Sequence, residues 1–383
     1  MNRLAIAVAA LAAAFHAAQG AIWPLQAEID RIAAAGGGTL VVTSGVHRTG
    51  ALFLKKGVNL HLERGAVIEG VDEAEAYPMM ETRIEGQTRR YFPALVNADR
   101  CHGLRIDGEG IIDGHGLPTW QEFWRLLKEK GDILNCEPGL VRPRVLYVSN
   151  SRDVEVSGVT FKNSKFWTTH YYRCRNVRIH DCAILAETFG KVRGPSTDAI
   201  DIDWCRDFII SNVVMNVNDD AIAIKGGKGA DAANREIHPE NGKSTNILVE
   251  DCTFGGMCHS AVTVGSECVG VSNLVVRACR LDGPGNFLHL KVRPDTPQLY
   301  TDILAENCIG HCRSFLAIKP WTQFSDTGGR DAKDLMSRIE RVTIRNNTID
   351  CRDVKSVKWN RAIFDVSDIV LENNTINGVL REK

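Results

Sequence analysis

The chain has 383 residues, with 46 Lys+Arg against 47 Asp+Glu and a formal net charge of −1. That length supports one large domain or two ordinary ones, and the balanced charge argues against a duplex nucleic-acid binder, which carries a basic excess. A hydrophobic fraction of 44% with both signs of charge excludes a largely disordered chain.

Met1-Asn2-Arg3 followed by the apolar run Leu4 to Ala14 reads as a signal peptide, residues 1–20, with Ala18-Gln19-Gly20 suited to cleavage before Ala21. The run falls short of the about 20 residues that span a bilayer. Secretion or periplasmic export is therefore expected, with residues 21–383 as one mature domain and no membrane association. Ala27 to Gly70 reads as a capping helix and first strands, the three glycines Gly36 to Gly38 stopping the helix. Pro118 to Lys130 reads as an inserted helix with Trp120, Phe123, Trp124 and Leu127 on one face, more in keeping with packing than with a substrate contact.

A repeat organises the rest. Segments beginning at Asp153, Asn176, Asp207, Asn246, Asn273, Asp302, Arg341 and Asp368 share apolar residues at +1, +3 and +8 and a polar or Asn position at +5. Their intervals are 23, 31, 39, 27, 29, 39 and 27 residues. Short alternating runs rich in Val and Ile are strands, and a drifting period suits the coils of a solenoid with loops at fixed corners. The predicted fold is all-β: a single-stranded right-handed parallel β-helix with an N-terminal capping helix and loop insertions, the largest over 226–244 and 320–338.

Position +6 reads Val159, Cys182, Val213, Cys252, Cys279, Cys308, Asn347 and Asn374. Four of the 12 cysteines thus share a column with valine and asparagine, as small buried side chains do. Disulfides remain open for Cys101, Cys136, Cys174, Cys205, Cys258, Cys268, Cys312 and Cys351. Zinc-type Cys/His spacing is missing, so no structural metal is expected.

A second strand aligns on its apolar residues as Asp198-AIDID, Asp220-AIAIK, Ser260-AVTVG, Asn286-FLHLK and Ser314-FLAIK. The inward positions are then Ile200/Ile202, Ile222/Ile224, Val262/Val264, Leu288/Leu290 and Leu316/Ile318. The same alignment brings Asp198, Asp219, Asp220, His259, His289 and Lys291 to neighbouring sites on successive coils. Parallel strands lie about 4.8 Å apart, so these groups form a column on one face. Alone, Asp219-Asp220 would be a solvated turn and His259 a structural histidine; their coincidence is what points to chemistry. Clustered carboxylates suit glycoside hydrolysis, where one gives a proton to the leaving oxygen and others deprotonate water. His and Lys beside them suit an acidic sugar.

Ser196-Thr197-Asp198, Asn218-Asp219-Asp220, Cys258-His259-Ser260 and His289-Leu290-Lys291 resemble, in order and spacing, the four motifs of the polygalacturonases, glycoside hydrolase family 28. The likeness extends upstream through GGGTLVV and GLRIDGEGIIDGHG and covers most of the mature chain. It implies a secreted glycosidase acting on galacturonan, with Asp219 as general acid, Asp198 and Asp220 activating water, and inversion at the anomeric carbon. It further implies that His259 supports the acid and that Lys291 binds a galacturonate carboxylate, with no metal or cofactor and an acidic polysaccharide as partner. A monomer is expected. Ser196, Cys258 and Ser260 depart from the family's Asn and two glycines. His289 stands where the family has Arg, which exchanges a fixed charge for a titratable ring; Arg293 is the candidate replacement. A modified galacturonide such as rhamnogalacturonan is the alternative substrate. The long loops favour exo-action. A calcium-dependent lyase and a non-catalytic carbohydrate-binding β-helix are the competing classes.

Overall fold

A computed structural model describes residues 25–137, 139–358 and 360–381. The leader expected over 1–20 lies outside the described residues. The chain winds as the predicted right-handed parallel β-helix. Helix α1 (Leu25–Ala34) caps its first coil, burying Leu25, Ile29 and Ile32 on one face. It ends where Gly36, Gly37 and Gly38 take φ of +98°, +112° and +150°, values that side chains resist. A side chain at Gly37 would also stand 2.7 Å from the carbonyl of Gly57.

The repeat read from the sequence is the coil. Its +1 residues pair in register through eight turns, Val154, Val177, Phe208, Ile247, Leu274, Ile303, Val342 and Ile369. They belong to an 11-stranded sheet, and the +8 residues from Phe161 to Ile376 pair equally on another face. Inward residues of these columns form one continuous core, each large aliphatic contributing about 1.5–3 kcal/mol by leaving water.

The polar positions have a backbone reason. Asp153, Asn176, Asp207, Asn246, Asn273, Asp302, Arg341 and Asp368 all take φ between 53° and 57°, the left-handed turn into the sheet. At +5, Asp181, Asn212, Asp251, Asn307, Asn346 and Asn373 take φ between 51° and 57° on the way out. Asn and Asp tolerate that conformation best among side-chain-bearing residues. Their side chains also bond from coil to coil, Asn176 Nδ2 to Asp153 at 2.7 Å and Asn246 Nδ2 to Asp207 at 2.8 Å.

All 12 cysteines are buried free thiols, so none of the eight left open forms a disulfide. Cys182, Cys252, Cys279 and Cys308 repeat one geometry, each Sγ donating to the carbonyl two residues back at 3.2–3.4 Å. Asn347 continues the column, its Oδ1 accepting from Cys308 N at 2.8 Å and its Nδ2 donating to Ala305 O at 3.1 Å.

Helix α2 (Leu117–Lys130) packs on the solenoid as expected, burying Trp120 and Phe123. Trp124 departs from the predicted face: it is 41% exposed, and its Nε1 donates to Arg193 O at 2.7 Å. Leu127 is only partly buried, against Phe123, Ile133 and Leu140.

Two outcomes follow. Without reductant, native protein should leave its 12 thiols unlabelled by an aromatic disulfide reagent, and all 12 should titrate after unfolding; a smaller number would reveal disulfides. Asn347→Ala strands the buried Cys308 N–H, and denaturant melts should show a loss of about 1–3 kcal/mol.

Candidate active site

The second alignment also holds residue for residue. Ile200 pairs with Ile222, Ile222 with Val262, Val262 with Leu288 and Leu288 with Leu316. The polar residues that open these strands therefore stack at one corner, with Ser260 beside Asn286 and Asn286 beside Ser314. With Ile and Val turned inward, alternation turns Asp201, Thr263 and His289 outward in one row, and Lys225 and Lys291 outward two residues on.

These groups line a cavity of about 730 Å³ that takes in Asp198, Asp219, Asp220, His259, His289 and Lys291. One oxygen from each of the three aspartates lies within 4.8 Å of the others. Asp198 and Asp220 are 4% and 2% exposed, whereas the Asp219 side chain is 25% exposed and faces the open cavity. Asp219 Oδ1 accepts from its neighbour's backbone, Asp220 N, at 2.9 Å and lies 3.2 Å from His259 Nδ1. Such a trio could hold a cation, but Lys291 already meets it, its Nζ donating to Asp220 Oδ2 at 2.6 Å.

The environment splits the carboxylates. Burial, with Asp219 and Asp201 nearby, pushes Asp198 well above the usual carboxylate range. Burial works the same way on Asp220, but Lys291 overrides it and holds that carboxyl below the usual range. The hydrogen bond from His259 to Asp219 raises the imidazole's affinity for its proton.

His289 behaves otherwise than its titratable side chain suggests. Burial and the Lys291 charge push it down to about 3, so the ring is neutral. Ser260 Oγ accepts from Asn286 Nδ2 at 3.1 Å and has its single proton for His289 Nδ1 at 3.2 Å. The ring proton then sits on Nε2, a buried donor without a partner in the cavity wall. Arg293 is not at the site. It is 1% exposed and forked onto Asp295 at 2.8 and 2.7 Å, its remaining bonds going to Gln323 O and Phe324 O. On the next coil Gly285 stands opposite His259, and a side chain there would stand 2.5 Å from His259 O.

Several lining residues escaped the sequence reading. Lys225 lies 3.4 Å from both Asp201 and Glu267 and over the Trp167 ring at 4.4 Å; Lys291 lies over Trp321 at 4.5 Å. Burial raises Asp201 to about 8 against the pull of Lys225. Asp201 and Lys225 sit in strands already aligned, and their outward parity was a usable signal. Glu267 and Trp321 stand on irregular segments without one. A hairpin, Met80–Ile84 with Gln87–Tyr91, closes one end of the face. Its Arg83 is buried on Asp203 at 2.9 Å, Arg144 donates to Thr82 Oγ1 at 2.8 Å, and the tip at Gly86 abuts Glu267. Beneath it His170 is fully buried.

The model of glycosyl hydrolases family 28 matches residues 59–307, which contain all these aspartates, His259, His289 and Lys291. The chain belongs to glycosyl hydrolases family 28. Among relatives of this family 28 chain, a probable polygalacturonase of Vitis vinifera is 29% identical over 206 residues, 52% of this chain and 39% of that protein. An exopolygalacturonase of Zea mays is 30% identical over 218 residues, 51% of this chain and 50% of that one. The match thus spans half or less of these curated relatives. The crystal structure of an exopolygalacturonase from Thermotoga maritima superposes with a TM-score of 0.71 at 23% identity, covering 94% of this chain and 88% of that one. Among the described residues no helix is long and apolar enough to cross a membrane.

The neutral histidine has a pH signature. A histidine held neutral by the fold contributes stability above its unfolded pKa of about 6.5, and this is lost as pH falls toward the folded value. Denaturant melts at pH 6.5 and 4.5 should therefore differ by ~2 kcal/mol more in wild type than in His289→Asn. Equal differences would mean a charged His289.

Proposed function

We propose that this chain is an exported glycosidase hydrolysing α-1,4-galacturonosyl linkages of an acidic polysaccharide, with Asp219 as general acid. The observation carrying the proposal is one cavity in which three carboxylates come within 4.8 Å of one another, with Asp198 and Asp220 shifted in opposite directions and Lys291 on Asp220. The acid must reach the glycosidic oxygen, and Asp219 is the most exposed of the trio, with His259 at its side. Asp219 gives its proton to that oxygen as the C1–O bond breaks. Water attacks C1 and loses a proton to Asp220, which Lys291 keeps ionised, while Asp198 orients it. Asp220 then releases that proton to bulk solvent and Asp219 takes one back, which returns both carboxyls to their starting states.

The trio's spacing, within 4.8 Å, is nearer the ~5 Å of retaining glycosidases than the ~6.5–9.5 Å of inverting ones. Inversion is proposed on the family motifs and on the presence of two further carboxylates to hold water. Proton NMR of the first-formed anomer decides it: β-configured product from the α-linked chain means inversion, and α-configured product rejects it.

The hairpin across one end of the face supports exo-action, because a chain cannot run past a wall buried on Asp203 and Glu267. Incubation with polygalacturonate should release one product size from the outset; a ladder of oligomers would reject end-wise cutting. Asp219→Asn should lower reducing-sugar release by roughly 10²–10⁴-fold. Ultraviolet-absorbing products lost on chelation would point to a lyase instead. The neutral His289 favours a second substrate reading, rhamnogalacturonan or another modified galacturonide, tested by cleavage of its fragments in preference to polygalacturonate.

A further inference from the structure

His289 leaves the cavity without the fixed guanidinium that the family motif supplies at this position, and Arg293 does not replace it. The strand one coil further does. Within Ile309–Pro320, Ser314 pairs with Asn286 and Lys319 with Lys291, so this strand lies directly against the one bearing His289. Arg313, just before Ser314, is exposed and lines the same cavity, as does Lys319. The approach of Arg313 is shaped by a glycine: its Nη2 lies 3.5 Å from where a side chain at Gly285 would begin.

Neither cation is satisfied by protein. Among the described residues, the Arg313 guanidinium and the Lys319 ammonium make no hydrogen bond or ion pair. Asp353, the acid whose charge both feel, is ion-paired with Arg352 at 2.9 Å and accepts from Ser314 Oγ at 3.3 Å. Lys291 is neutralised by Asp220 at 2.6 Å. The wall beyond Lys291 therefore carries uncompensated positive charge, and partial burial with the nearby Arg313 and Lys358 charges pushes the Lys319 ammonium down. Two cations that no acid pairs with among the described residues, in a cavity wall that also carries the Trp321 ring, form an anion-binding surface.

Resting on the reading of a galacturonan hydrolase, we infer that Arg313 and Lys319 form a carboxylate-binding subsite beside Lys291, with Arg313 supplying from the next coil the guanidinium absent at position 289. A guanidinium forks onto a free carboxylate and loses that bond to a methyl ester, so this subsite selects unesterified galacturonate.

The test measures binding and turnover separately. Binding of trigalacturonate and of its methyl-esterified form is followed calorimetrically in the Asp219→Asn background, with and without Arg313→Gln or Lys319→Gln. Steady-state kinetics on both substrates are measured with Asp219 intact, and thermal melts check folding. Each substitution should weaken trigalacturonate binding and raise KM by roughly 10–100-fold, leave kcat within about 3-fold, and shrink the preference for the free acid. Arg313→Lys, which keeps charge but not the fork, should fall between wild type and Arg313→Gln. Unchanged KM, binding and ester discrimination in folded variants of an enzyme that does cleave galacturonate would overturn the subsite alone. Trigalacturonate bound but never cleaved by wild type, with binding lost in Arg313→Gln, would retain the subsite and reject the hydrolase reading. Failure of wild type to bind or cleave it would reject both.

Discussion

Coil-to-coil register is the constraint on which everything else in this molecule depends. Each strand of the coils that carry the site bonds to its counterparts one turn before and after, and inward Ile, Val and Leu columns fix which residues face each other. A slip of one residue in any coil would turn its apolar pair outward and expose core to water. It would also move Asp198, Asp220 or Lys291 by about 3.3 Å, enough to break a 2.6 Å ion pair. Core packing and site assembly are thus one specification, and Asp220 and Lys291, 71 positions apart in the chain, meet with hydrogen-bond precision.

The inward columns explain why so much was legible in advance. Alignment on Ile200, Ile222, Val262 and Leu288 used apolar residues alone, and the paired strands reproduce it because a parallel ladder has no freedom once its core is chosen. Polar residues at the repeat's first and sixth positions were also readable, although their cause, a left-handed backbone at both turns, is a property of φ rather than of burial. Cysteines at +6 were readable as packing for a similar reason, since valine and asparagine occupy the same column.

What stayed hidden lies off the ladder or depends on partners. Arg293 has the right spacing from Lys291, yet the strand Asn286–Val292 ends just before it and Asp295 captures its fork. Glu267 and Trp321 follow strand ends, where no period places a side chain. The hairpin at Met80–Tyr91 came from an antiparallel excursion outside the repeat. Protonation was hidden too: His289 reads as a switch until burial and Lys291 are seen to keep it neutral.

The cavity's charges, taken together, show how a fold can be both stable and poised for an acidic ligand. A buried charge must be matched, because the interior cannot hydrate it. Lys225 is matched by Glu267, and Lys291 by Asp220, each lysine also resting on a tryptophan face. Both lysines lie buried at the cavity floor. The unpaired cations, Arg313 and Lys319, stand at the rim. An anionic sugar entering from that side meets unpaired cations first and the more exposed acid, Asp219, further in. Matched charge below and unmatched charge above thus give the cavity a direction. That direction follows from which lysines the ladder buries and which it leaves at the edge.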